Sequence, residues 1–288
     1  MFLFIHIPRT AGTTFSDILK KNFKEKYIRV YGMKKRDFFS DEEVKALAVF
    51  FPDAECISAH EFACPLPQPD NSNTNKIIQY QFITFLREPV ARAFSHYFYN
   101  RERWRKGIIK KDFVEELFPI YFKKTNEQAR EISGGRWVYL ADMQTYILDR
   151  NYNLEAAKNR MKNEFFFVGV TERFEESLII LRRKIREAGI NFRIGYFKKN
   201  VSLKKKPEPD PETYNMVLAE NRRDKELYDY ANFLLDEEIK KYQGDFKKDL
   251  AVFQKRQKFL SHFAFVDNFA KKAARVCLRF LNKRVYVL

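Results

Sequence analysis

Phe2-Leu-Phe-Ile-His-Ile-Pro-Arg-Thr-Ala-Gly-Thr-Thr-Phe15 is the stretch from which the rest of the chain is read. From Met1 to Ile7 it is a near-continuous apolar run, too short to span a membrane and right for a strand buried on both faces of a parallel sheet. Pro8, which has no N–H to donate, ends that strand. Gly12, lacking a Cβ, is expected to let backbone pass close to a ligand. Thr13 and Thr14 then open a helix whose apolar face, Phe15, Ile18, Leu19 and Phe23, recurs at helical spacing. A strand feeding a tight turn into a helix N-terminus offers unpaired N–H groups and the positive end of the helix dipole. That is a seat for phosphate or sulfate.

Two common phosphate loops do not fit. A nucleoside-triphosphatase loop, G-x-x-x-x-G-K-[ST], places a lysine after its second glycine. Here Thr13 follows Gly12, and the nearest cation, Arg9, precedes it. No G-x-G-x-x-G is present either, which counts against a dinucleotide-binding oxidoreductase.

A second loop of the same kind follows about eighty residues later. Gln79 to Leu86 reads as a buried strand, and it runs into Arg87-Glu-Pro89 with proline at a helix first-turn position. In Phe85-Leu-Arg-Glu-Pro-Val-Ala-Arg-Ala-Phe-Ser-His-Tyr97, Arg87 offers a rigid fork for phosphate oxygens. Ser95 lies about two helical turns on, where its hydroxyl could reach the same group. The helix is expected to bury Val90, Phe94 and Tyr97 or Phe98.

The string Ile5-His-Ile-Pro-Arg-Thr-Ala-Gly-Thr-Thr14 resembles the 5′-phosphosulfate loop of sulfotransferases that use 3′-phosphoadenosine 5′-phosphosulfate (PAPS), in particular the heparan- and chondroitin-type carbohydrate enzymes. The second loop resembles their 3′-phosphate motif. Phe167 to Leu178 is similar to their third strand-to-helix element, and Glu220-Asn-x-x-Asp-x-x-Leu-Tyr228 to their late helix signature. Asn200-Val-Ser202 matches a short element that precedes a basic cofactor-covering loop. The resemblance runs from residue 2 to about 235, is weak between 100 and 160, and is absent after 245.

The resemblance implies a donor site. Backbone amides of Thr10, Ala11, Gly12, Thr13 and Thr14, with the Thr13 and Thr14 hydroxyls, would hold the phosphosulfate. Arg9 would face the bridging oxygen where most relatives carry lysine; since arginine keeps its proton, only a charge-stabilising role is expected of it. Arg87 and Ser95 would hold the 3′-phosphate, with Asn200 and Ser202 close by, and no metal is required. The general base is assigned to His60, at the end of the short strand Cys56-Ile-Ser-Ala-His60, because an ordinary imidazole takes up a proton near neutrality. Glu61 is the reserve. His6 is expected to support the first loop.

Composition bounds the rest. A chain of 288 residues with 45% hydrophobic residues and 30 Phe supports one sizeable α/β domain. The formal charge of +16 calls for an anionic partner such as a nucleotide, an acidic glycan, a nucleic acid or a membrane surface. Cys56, Cys64 and Cys277 have neither zinc-site nor disulfide-framework spacing, and a reduced chain with buried thiols is the reading. With no signal peptide and no long apolar span, a cytoplasmic protein is expected, able to lie against the inner face of a membrane.

Alternation of strands and helices predicts a P-loop-like parallel sheet flanked by helices over residues 1–243. Ser40-Asp-Glu-Glu43 is a capping box, Pro65 to Asn75 a long polar loop, Phe165 to Val170 a buried strand, and Gly189 the stop of the helix from Glu175. Asp210-Pro211 starts helices that run to Tyr242. Residues 244–288 form a basic amphipathic helical extension; from Asp245 it holds eleven Lys/Arg against three Asp. It is read as packing on the domain, or as a docking surface for acidic lipid or a protein.

The functional expectation is sulfuryl transfer from PAPS to a hydroxyl of a glycan or glycolipid, without a nucleic-acid partner. Two alternatives stay open: a P-loop kinase or hydrolase, and a non-enzymatic basic module for nucleic acid or acidic polysaccharide.

Overall fold

The structure is a computed structural model that describes residues 1–31, 38–71, 77–108, 141–197 and 209–260. Its centre is β1 (Phe2–Ile5), all four residues of which are buried. On one side β1 pairs with β3 (Cys56–Ala59), which pairs in turn with β2 (Tyr27–Arg29); on the other it pairs with β4 (Gln81–Leu86), followed by β5 (Phe165–Val170). Every pairing is parallel, in the order β2-β3-β1-β4-β5. Phe2 stands opposite Gln81 and Ile5 opposite Thr84, whose hydroxyl donates to the Ile5 carbonyl at 2.9 Å. Strands covered on both faces must be apolar throughout, as the unbroken Phe-Leu-Phe-Ile and Phe-Phe-Phe-Val runs are.

Helices cover the two faces: α1 (Gly12–Phe23), α2 (Asp41–Phe50), α3 (Pro89–Arg105), α4 (Met143–Leu148), α5 (Leu154–Asn163), α6 (Phe174–Glu187), α7 (Pro211–Glu220) and α8 (Arg222–Lys240). Residues 246–260 are also helical. Both expected N-termini form: Ser40 and Glu43 exchange the two capping-box bonds, and Asp210 accepts from the Thr213 N–H ahead of Pro211. Gly189 ends α6 with φ 81°, a left-handed conformation that favours glycine. Cys56 and Cys64 are buried free thiols. Among the described residues no helix is long and apolar enough to cross a membrane.

α3 departs from the expected pattern. Val90 and Phe98 are buried, but Phe94 and Tyr97 are only half-buried, and the inward face also carries Arg92, Ser95, His96 and Asn100. A helix packed over strand ends rather than over the middle of a sheet borders a polar cleft, and its inner face is polar to match. The carboxylate of Glu88 caps it by accepting from the N–H groups of Val90 and Ala91, a cap hidden in the sequence by the adjacent Pro89.

Behind α3 lies a buried polar network. Asp224 of α8 accepts from the N–H groups of Gln144 and Thr145 and from the Thr145 hydroxyl, which caps α4 from another helix. Asp142 returns the bond by accepting from the Asp224 N–H, and Asn221 accepts from the Asp142 N–H. Arg92, with its side chain 4% exposed, faces Asp224 at 4.0 Å. Gln144, so held, grips the backbone of Arg87 in both directions at 2.8 and 2.9 Å. The Asn-x-x-Asp signature of α8 therefore acts on the second loop through Gln144.

Replacing Asp224 by Ala strands Arg92 and uncaps α4. Urea denaturation should show a loss of about 3–5 kcal/mol, as for other buried pairs that lose one partner; a loss below about 1 kcal/mol would dismiss this account of the network.

Candidate active site

β1 and β4 are neighbours, but the chain leaves them in different directions, β1 into α1 and β4 into α3. In an open parallel sheet such a divergence leaves a crevice at the carboxyl ends of the strands. A cleft of about 520 Å³ lies there, lined by Arg9, Ala11, Gly12, Thr13 and Thr14 of the first loop and by Arg87 and Ser95 of the second. His6, the segment from Thr171 to Glu176, Tyr196 and Gln254 complete it.

The first loop is strained. Arg9 (φ 72°) and Ala11 (φ 61°) both take the left-handed backbone conformation, at a cost on the order of 1–3 kcal/mol each for residues with a Cβ. The Thr10 hydroxyl donates to the Ile7 carbonyl at 2.8 Å, pinning the loop from inside, so Thr10 is buried and does not line the cleft. Ala11 caps α1 with no side-chain hydrogen bond, and the Thr14 N–H donates to the Ala11 carbonyl at 3.0 Å.

Gly12 serves a purpose other than the expected one. A Cβ built there would overlap the His6 imidazole, so the missing side chain makes room for a protein ring rather than for a ligand. That ring stacks on Phe4 with centroids 5.2 Å apart and meets the His60 ring at 3.9 Å. The loop-supporting role expected of His6 thus takes the form of a wedge between the end of β1 and the start of α1.

The two arginines share the cleft. Arg87 donates from a terminal nitrogen to the Arg9 carbonyl at 3.1 Å, and its Nε lies 3.5 Å from a Glu172 oxygen. Arg9 turns both Nε and a terminal nitrogen onto the Ser95 hydroxyl, each at 3.0 Å, and stacks over the Tyr99 ring at 4.8 Å. Ser95, expected to share a phosphate with Arg87, accepts from Arg9 and keeps its hydroxyl proton to donate. Burial, and then the neighbouring Arg87 charge, lower the pKa of Arg9 from the usual guanidinium value. Two cations held this close favour an anion between them.

His60 and Glu61 do not line the cleft. His60 sits behind His6, and its Nδ1 donates to the His6 carbonyl at 2.6 Å, which leaves Nε2 as the acceptor. Burial lowers its pKa to about 4, so the imidazole is neutral across the physiological range; the expected titration near neutrality is corrected. Glu61 is half-buried, and burial raises its pKa above the usual carboxylate range. Asn200 and Ser202 lie outside the described residues. Among the described residues no cluster of His, Cys, Asp or Glu could hold a metal ion.

The sequence reading missed Thr171, Glu172, Tyr196 and Gln254. The first two follow β5 as the loops follow β1 and β4, a signal that was present; Gln254 sits in a segment with no motif at all.

No family model matches the chain, and no curated protein matches it either.

Two outcomes follow from the histidine wedge. Gly12→Ala should destabilise by about 1–3 kcal/mol through overpacking. In a His6→Ala background its cost should fall by more than about 1 kcal/mol in a double-mutant cycle, and strict additivity would refute the wedge. His6, His60 and His96 all have pKa values lowered, first of all by burial. The unfolded chain therefore binds more protons, and stability is lost as pH falls below the ordinary histidine value of about 6.5. Between pH 7 and pH 5, His60→Gln should lose about 2 kcal/mol less than the parent protein in urea titrations.

Proposed function

We propose that the protein is a sulfotransferase that moves the sulfuryl group of PAPS to a hydroxyl acceptor, with a carbohydrate as the acceptor class. One observation carries the reading: Thr13 and Arg87, from loops far apart in sequence, line the same cleft. A strand order with β1 in the middle and a phosphate-type loop at its end supports a P-loop-like identity for the sheet. A nucleotide bearing phosphate at both the 5′ and 3′ positions needs two anion seats in one crevice. The positive end of α1 and the Arg9–Arg87 pair are suited to provide them.

In this reading an acceptor oxygen forms a bond to sulfur while the bond from sulfur to the bridging phosphate oxygen breaks. The electron pair goes to the phosphate, and the hydroxyl proton goes to a base. The chain positions the reactants and stabilises the developing charge. Gly12, Thr13 and Thr14 would hold the phosphosulfate, and Arg9 would sit at the leaving oxygen with Ser95 fixing its guanidinium. Arg87, anchored by Gln144, would take the 3′-phosphate. His60 and Glu61, the expected bases, lie outside the cleft, and His60, its pKa lowered to about 4 by burial, has little basicity, so neither is given that role. A kinase or hydrolase would instead need a lysine after Gly12, where Thr13 stands.

The test is thermal denaturation with adenosine 3′,5′-bisphosphate, ATP, GTP and NAD in parallel. The bisphosphate at about one hundred times its Kd should stabilise the protein by about 2.7 kcal/mol, and Arg87→Ala should abolish that gain. Equal or greater stabilisation by ATP would overturn the donor assignment.

A further inference from the structure

The helix at 246–260 lies beyond the stretch that resembles sulfotransferases, yet it builds part of the cleft. Phe253 and Gln257, one helical turn apart, face inward and are buried. Gln257 donates from Nε2 to the Tyr196 carbonyl at 2.9 Å and accepts from the Tyr196 N–H at 3.4 Å. Tyr196, fixed in this way, sets its ring edge-on to Phe174 with centroids 5.2 Å apart and donates its hydroxyl to Glu175 at 3.1 Å. Both of those residues line the cleft, and so does Gln254, beside the buried face of the helix.

The walls of the cleft differ in charge. The first-loop amides, Arg9 and Arg87 make one wall that attracts anions. The segment from Thr171 to Glu176 makes a second wall that carries the carboxylates of Glu175 and Glu176, with Glu172 turned back to Arg87 at 3.5 Å and Arg173 engaged with Glu176 at 2.6 Å and Asp236 at 2.7 Å. A ligand that is anionic at one end and uncharged at the other is sorted by this contrast. Its phosphates go to the arginines and its neutral end goes against the carboxylate wall. Two uncharged polar groups wait in that wall. The Thr171 oxygen is buried with no hydrogen-bond partner among the described residues, a condition that native structures rarely leave unanswered. The Gln254 amide carries both donors and an acceptor, the complement of a heterocyclic base edge that offers the same pair.

We propose that Gln254 is a specificity-determining residue that reads the base of the nucleotide, so the C-terminal helix is a working wall of the donor cleft. This rests on the donor reading above. Gln254 is exposed on its helix, and alanine, the best helix former, leaves the fold intact.

Isothermal titration of the full chain with adenosine 3′,5′-bisphosphate and with ribose 3,5-bisphosphate, which has no base, tests the assignment. Gln254→Ala should weaken the adenosine compound about tenfold, the worth of one good hydrogen bond, and the compound without a base less than about twofold. Unchanged affinities, or an equal loss for both compounds, would overturn the role of Gln254 while leaving the donor assignment standing. If the parent protein does not bind the adenosine compound, the donor assignment itself fails, and this inference with it.

Discussion

Everything at the cleft depends on the parallel pairing of β1 with β4. With Ile5 opposite Thr84, β4 runs two residues beyond the end of β1, and each strand then hands its chain to a helix on its own course. The divergence opens the crevice, and the pairing brings Arg87 within reach of the Arg9 carbonyl. A one-residue slip would turn every side chain of a strand to the other face of the sheet. The apolar residues on both sides of these strands, together with the Thr84–Ile5 bond, oppose it.

Around this frame the chain repeatedly uses one device. An Asn or Gln amide donates to and accepts from the backbone of a single residue outside the sheet, as a neighbouring strand would. Gln144 does so to Arg87, Asn22 to Arg193, Gln257 to Tyr196, Gln68 to Tyr80 and Asn71 to Ile78. Each clamp answers a backbone N–H and C=O that would otherwise lose their partners. Net stabilisation is about 0.5–1.5 kcal/mol per bond, but position matters more than energy here. The segment with Phe192, Ile194 and Tyr196 buried in alternation is held between α1 and the C-terminal helix by two such clamps. Both helices also contribute residues to the cleft.

The site combines strain, burial and like charge, each unfavourable alone. Left-handed Arg9 and Ala11, buried His6, partly buried His60 and two neighbouring guanidiniums are held because the surrounding core is well packed and the network behind α3 bonds Asp142, Gln144, Thr145 and Asp224 to one another. Such concentrations of local cost belong to places where a ligand is bound, since binding an anion relieves the charge part of the cost.

From the sequence alone came the α/β alternation, strands within Met1–Ile7, Gln79–Leu86 and Phe165–Val170, the caps at Ser40 and Asp210, and the two strand-to-helix loops that carry Arg9, Gly12, Thr13, Arg87 and Ser95. Those features are local: apolar runs, periodicity and turn chemistry are written within a few residues of one another. The partners were not readable. That Gly12 makes way for His6, that Ser95 binds Arg9, that Gln144 fixes Arg87, that burial strips His60 of its ordinary basicity, and that Gln254 reaches the cleft were decided only by the tertiary structure. Each depends on distance and desolvation between residues remote in the chain, and no short-range pattern encodes which of many polar side chains will meet inside the fold.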